Sequence, residues 1–175
     1  GAFAHHGEAF YKNELARTGA ILDSSPDDFE ARNDLASAHT KLGNYKEAER
    51  LFQQNEQRFP GRYKTASNRG VLYKKMGKYD LSADYLKQSF EIKPGGHMGL
   101  ADYYLKMVQW LEAVQGDPLH DKDFLGRPYA IAYSVSGTSS GVETASRENL
   151  ITLLKNDYLF PDVYVALGRS YELEQ

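Results

Sequence analysis

Residues 41–48 read KLGNYKEA, and residues 75–82 read KMGKYDLS, the same plan 34 positions later. The spacing extends outward from this pair. Pro26, Pro60 and Pro94 keep it, and so do Tyr11, Tyr45 and Tyr79. Several residue types holding one period mark an internal repeat, and a period of this length points to stacked supersecondary units.

Each unit reads as a helical hairpin. In FEARNDLASAHTKLGNYKEAERLFQQNEQRFP (29–60), Ala31, Leu35, Ala38, His39 and Leu42 recur at helical spacing. Gly43-Asn44 then breaks the pattern. Tyr45, Ala48, Leu51, Phe52 and Phe59 fall on one side of a second helix, which Pro60 ends because it has no N–H to donate. Residues 63–94 repeat the plan. The small residues Ala36, Ala48, Gly70 and Ser82 stand where two helices must approach closely. A lone hairpin cannot bury its apolar face, so neighbours stack.

These residues resemble the tetratricopeptide-repeat family, whose signature is an aromatic, then Leu-Gly, then Tyr, then Ala-x3-Phe and a proline. Residues 29–60 supply Leu35, Ala36, His39, Ala48, Phe52 and Pro60, and residues 63–94 supply Gly70, Tyr73, Ser82, Leu86 and Pro94. Near the C-terminus YVALGRSY supplies Tyr164, Leu167, Gly168 and Tyr171. The departures are Arg32 and Ala66 for the aromatic, Arg69 for Leu and His39 for Tyr. The resemblance implies an all-α, right-handed superhelical solenoid of helix-turn-helix hairpins. It also implies a non-catalytic scaffold that takes a peptide or protein segment in a concave groove.

The expected organisation is one domain over 1–175. A partial repeat fills 2–26, with FAHHGEAF (3–10) as the stub of its first helix and Tyr11–Leu22 as its second. Full repeats follow at 29–60 and 63–94, then the helix of an interrupted repeat at 97–114. An insert fills 115–145, and a helical pair closes the chain at 146–175. Within the insert Tyr129, Ile131, Tyr133 and Val135 alternate with small residues, the period of an extended strand. Ser140 and Glu143 fit a capping box. Leu150, Leu153, Leu154 and Phe160 share one helix face, and Pro161 suits the first turn of the last helix.

Composition narrows the function. The net charge of −3 argues against a general nucleic-acid binder, and no apolar run is long enough for membrane insertion. The absence of cysteine removes thiol catalysis, disulfides and Cys-ligated zinc. No nucleophile elbow, phosphate loop or dinucleotide glycine pattern occurs, so neither catalytic residues nor a cofactor are implied. His5, His6 and Glu8 form a His/carboxylate cluster, but His5 falls 34 before His39 and 68 before Tyr73, at a packing position. His6, one residue later, faces the expected groove and keeps the one weak metal claim. His120-Asp121-Lys122-Asp123 reads as a solvated turn. The truncated first hairpin is read as trimming after an export signal in a bacterial protein, with a cytoplasmic location left open.

The expected groove lies on the helix faces opposite the packing residues. It comprises Asn33, Ser37, Thr40 and Lys41, then Lys64, Ser67, Asn68, Val71, Lys74 and Lys75, then Asp102, Leu105 and Val108. Between Phe59 and Tyr79 stand six basic residues (Arg62, Lys64, Arg69, Lys74, Lys75, Lys78) and no acidic one. That field favours an acidic peptide. Val71 and Leu105 would pack against it while Asn33 and Asn68 bond its backbone. Asn68 matches the central Asn of the family's chaperone-tail clamp, but Asn33, Ser37, Met98 and Asp102 do not match its other positions. The alternative is a structural or self-assembly module whose groove is filled by its own insert. A homodimer through the uncapped C-terminal helix is left open.

Overall fold

A computed structural model describes residues 6–96, 100–115, 117, 120–128, 147–157 and 159–172. Among them are eight helices and no strand beyond one isolated bridge between Lys122 and Pro128, so the fold is all-α. The chain forms two compact units, residues 1–96 and 97–175.

The first unit holds α1 (Glu8–Ser24), α2 (Phe29–Lys41), α3 (Tyr45–Arg58), α4 (Tyr63–Lys75) and α5 (Tyr79–Ile92). Helix α1 packs on α2, α2 on α3 and α4 on α5, while α2 and α4 lie side by side as the first helices of consecutive hairpins. This is the stacked-hairpin solenoid that the period dictates.

The glycines of the opening motif make the turns. Gly43 and Gly77 have φ of 79° and 71°, the left-handed region that favours glycine. After α2, Asn44 N–H donates to His39 O at 2.9 Å and Gly43 N–H to Thr40 O at 3.3 Å. After α4, Lys78 N–H donates to Tyr73 O at 2.9 Å and Gly77 N–H to Lys74 O at 3.0 Å. Both are Schellman closures, which satisfy carbonyls that the helix end leaves open. The core between the hairpins is Ala36, Ala48, Leu51, Phe52 and Leu72, all buried. At Gly70 an added Cβ would lie 2.8 Å from Leu86 Cγ, and Ser82 Oγ donates to Gly70 O at 2.7 Å. Only small residues permit that approach of α5 to α4.

Two details depart from expectation. Helix α1 begins at Glu8, so Glu8, Ala9 and Phe10 form its first turn and not the end of a separate first helix. The departures from the repeat signature are also compensated. Arg32, at the aromatic position, is buried and donates to Asn55 Oδ1 at 3.2 Å and to Pro26 O. Asn55 is wholly buried and donates in turn to Phe29 O at 3.1 Å.

The second unit holds α6 (Ala101–Gln115), α7 (Arg147–Asn156) and α8 (Pro161–Glu172). Helices α7 and α8 pack together and bury Leu150, Leu153, Phe160, Val163 and Ala166. Pro161 opens α8 as its fixed φ and missing N–H favour. The segment 120–128 corrects the solvated-turn expectation. Asp121 and Lys122 are exposed, but Asp123 is only 1% exposed. Its carboxylate accepts from Leu125 N–H (3.0 Å), Arg127 N–H (2.9 Å) and Arg127 Nε (2.7 Å), and Arg169 lies at 3.4 Å. Phe124 N–H donates to Asp162 Oδ2, and Trp110 Nε1 donates to Lys122 O at 2.7 Å. The Asp123 carboxylate folds this turn, because burying a charge requires such partners. YAIAYSVS and the Ser140/Glu143 box lie outside the described residues. Among the described residues no helix is long and apolar enough to cross a membrane.

Candidate functional site

The basic run between Phe59 and Tyr79 does not act as one patch. Lys64 is bound by Glu30 and by Asp34 (2.9 Å) of α2. Burial pulls its pKa down, but the two carboxylates outweigh that and hold it above the usual lysine value. The Arg69 guanidinium lies 4.1 Å over the Tyr85 ring and reaches Tyr73 Oη at 3.4 Å. Arg62 lies over Phe29 and Lys78 over Tyr73, at 5.8 and 5.9 Å. These four cations are engaged within the fold.

The other two cations of the run, Lys74 and Lys75, are joined by a lysine from outside it. Lys41 ends α2, Lys74 and Lys75 end α4, and the two helices are neighbours. Lys41 and Lys75 occupy equivalent repeat positions, so the 34-residue register itself brings them together. Burial, followed by the charges of Lys75 and Lys41, pushes the Lys74 pKa down from 10.5 to about 7. Burial and then Lys75 also lower that of Lys41, which stays exposed, so water screens much of the effect. The negative ends of α2 and α4 offset part of the repulsion.

Beside Lys41 is a cavity of about 350 Å³ lined by His6, Glu8, Tyr11, Lys41 and Leu42. His6 is exposed and stacks on Phe10, with ring centroids 3.8 Å apart. Glu8 pairs with Lys12 at 2.7 Å. Tyr11 enters the sequence reading only as a repeat marker, yet it forms one wall here, and burial raises its pKa. Nothing in its spacing separates the two roles. Among the described residues no three His, Cys, Asp or Glu side chains gather as a metal ion would need. His5 lies outside the described residues.

The other expected groove residues divide. Ser37, Asn68 and Val71 are half-buried on α2 and α4, the helices that carry the lysines. Asn33 is wholly buried, and its amide donates to Phe29 O at 3.3 Å and Thr65 Oγ1 at 3.4 Å. It joins α2 to α4 and presents nothing to a ligand. Thr40 is buried and donates to Ala36 O. Asp102, paired with Lys106 at 2.8 Å, and the half-buried Leu105 belong to the second unit.

Comparison with known families gives two matches, each to a model described as a tetratricopeptide repeat, at residues 30–55 and 63–95. No curated relative and no solved structure matches the chain. The two matched segments are the α2–α3 and α4–α5 hairpins, each turning on a left-handed glycine. Residues 30–55 and 63–95 are thus tetratricopeptide repeats, in the N-terminal half of the chain.

Proposed function

We propose that the chain is a non-catalytic interaction scaffold that holds an acidic protein segment against α2 and α4, with Lys41, Lys74 and Lys75 as the charged contact. Tetratricopeptide repeats point to protein partners. The observation that carries the finer reading is the crowding of three ammonium groups at adjacent helix ends, two of them with lowered pKa. Crowding of this kind costs stability, and an acidic segment relieves it. Ser37 and Asn68 offer hydrogen bonds beside the cluster, and Val71 offers apolar contact.

The test is fluorescence anisotropy with a labelled twelve-residue peptide alternating Glu with Leu, against a Gln-for-Glu control. The wild-type chain is expected to bind the acidic peptide more tightly. Raising salt from 50 to 500 mM should weaken it severalfold, since the Debye length falls below about 5 Å. Lys74→Glu/Lys75→Glu should weaken it at least tenfold. Equal binding of both peptides, or binding that the double variant leaves intact, rejects the proposal.

A further inference from the structure

We propose that the cavity between the first turns of α1 and the end of α2 takes the phosphate of a phosphorylated serine or threonine in the acidic partner segment. The inference rests on the scaffold function proposed above and adds a covalent mark to the partner. The cavity has a volume of about 350 Å³ and is lined by His6, Glu8, Tyr11, Lys41 and Leu42, all from the first compact unit. That volume is at the lower end of the range in which proteins enclose small ligand groups.

The repeat frame shows what the plan puts at these positions. One period later, His6, Glu8, Tyr11, Lys41 and Leu42 correspond to Thr40, Leu42, Tyr45, Lys75 and Met76. There Thr40 is buried and donates to Ala36 O, while Tyr45 and Met76 pack against the core between the hairpins. Around α1 an imidazole and a carboxylate replace the packed Thr40 and the apolar Leu42, and Tyr11 borders a cavity. Ionisable groups that break the packing plan around a cavity point to a ligand and not to a core.

Charge selects the ligand. The charge that acts on Lys41 is that of Lys75, and no carboxylate among the described residues neutralises it. Glu8, the one acid of the lining, is bound by Lys12 at 2.7 Å, which holds its carboxyl below the usual range. Lys74 in turn feels both Lys75 and Lys41. An anion entering beside Lys41 therefore meets the field of three ammonium groups. A carboxylate brings one negative charge and two oxygens. A phosphate monoester brings about −1.5 to −2 charge and three strong acceptor oxygens. The lining offers an ammonium, a phenol and an imidazole as donors, one for each of those oxygens. Lys41 serves as the point charge, and Tyr11 and His6 add direction.

The probes are two labelled peptides of alternating Glu and Leu that differ only at one central position, glutamate in one and phosphoserine in the other. In fluorescence anisotropy the wild-type chain is expected to bind the phosphoserine peptide about tenfold more tightly. Tyr11→Phe keeps the ring and removes the hydroxyl. It should weaken the phosphoserine peptide about tenfold, as loss of one hydrogen bond to a charged group entails, and leave the glutamate peptide unchanged. His6→Ala, at an exposed position, should also narrow the preference. Equal binding of the two peptides by the wild type overturns this inference and leaves the acidic scaffold standing. Binding of neither peptide rejects both together. A preference that survives in both variants also overturns the inference. So does displacement of the phosphoserine peptide by inorganic phosphate at the peptide's own concentration, which would make the ligand the free anion.

Discussion

At the scale of the residue, polar groups replace consensus packing. Arg32 stands where an aromatic ring would fill the hairpin, and Asn55 stands across from it to accept its hydrogen bond. The pair is one solution spread over two helices. Asn55→Ala removes that acceptor and the donor to Phe29 O, and should destabilise the fold by about 2–3 kcal/mol in urea denaturation. Arg32→Leu/Asn55→Ala should recover most of the loss, because the buried charge leaves with its partner. A double variant no better than the single one would refute the coupling. Lys74 gives a pH signature. Its pKa is about 7 in the fold against 10.5 ordinarily, so between these values the unfolded chain binds more protons and stability rises with pH. Below pH 7 both states are protonated and the penalty is complete. Lys74→Met should therefore unfold at higher urea than the wild type at pH 6.5, by on the order of 1 kcal/mol after screening. The gap should close toward pH 10.5, and a constant gap would contradict the assignment.

At the scale of the element, equal glycines have unequal consequences. Gly77→Ala forces a side chain into φ of 71° and should cost about 1 kcal/mol or more. Gly70→Ala pushes a methyl into Leu86 and should cost about 1–3 kcal/mol. Gly168→Ala meets no neighbour among the described residues and should instead stabilise by up to about 1 kcal/mol. Thermal melts of the three variants test this order, and a destabilised Gly168→Ala would show that its Cβ position is occupied. The hairpins and their turns were legible in the sequence because turn chemistry is local. The start of α1 was not. FAHHGEAF has the length and apolar pattern of a helix stub, but Glu8, Ala9 and Phe10 continue into α1. Nothing between Glu8 and Tyr11 interrupts the helix, so the period alone placed the boundary too late.

At the scale of the whole molecule, the first unit carries its own core, with Ala36, Ala48, Leu51, Phe52 and Leu72 all contributed from within residues 1–96. A fragment of residues 1–96 should unfold cooperatively, with helical circular dichroism and a single sigmoidal transition in urea. A fragment that is unfolded in water would show that the core needs the second unit. By itself the sequence determined the all-α class, the repeat frame and the two hairpins, because helical period, turn glycines and terminating prolines act over a few residues. It also placed the cations. Only the tertiary structure decided what each of them meets. Lys64 is taken by Glu30 and Asp34 of another helix, Arg69 by Tyr85, and Asn33 by Thr65, while Lys41 joins Lys74 and Lys75 across the α2–α4 contact. Asp123, one of four polar residues in a row, became a buried hub through Arg127 and Arg169. Each of these outcomes depends on a partner that comes from another element or is brought near only by the fold. The spacing of a single segment fixes where a side chain points and leaves open what it meets.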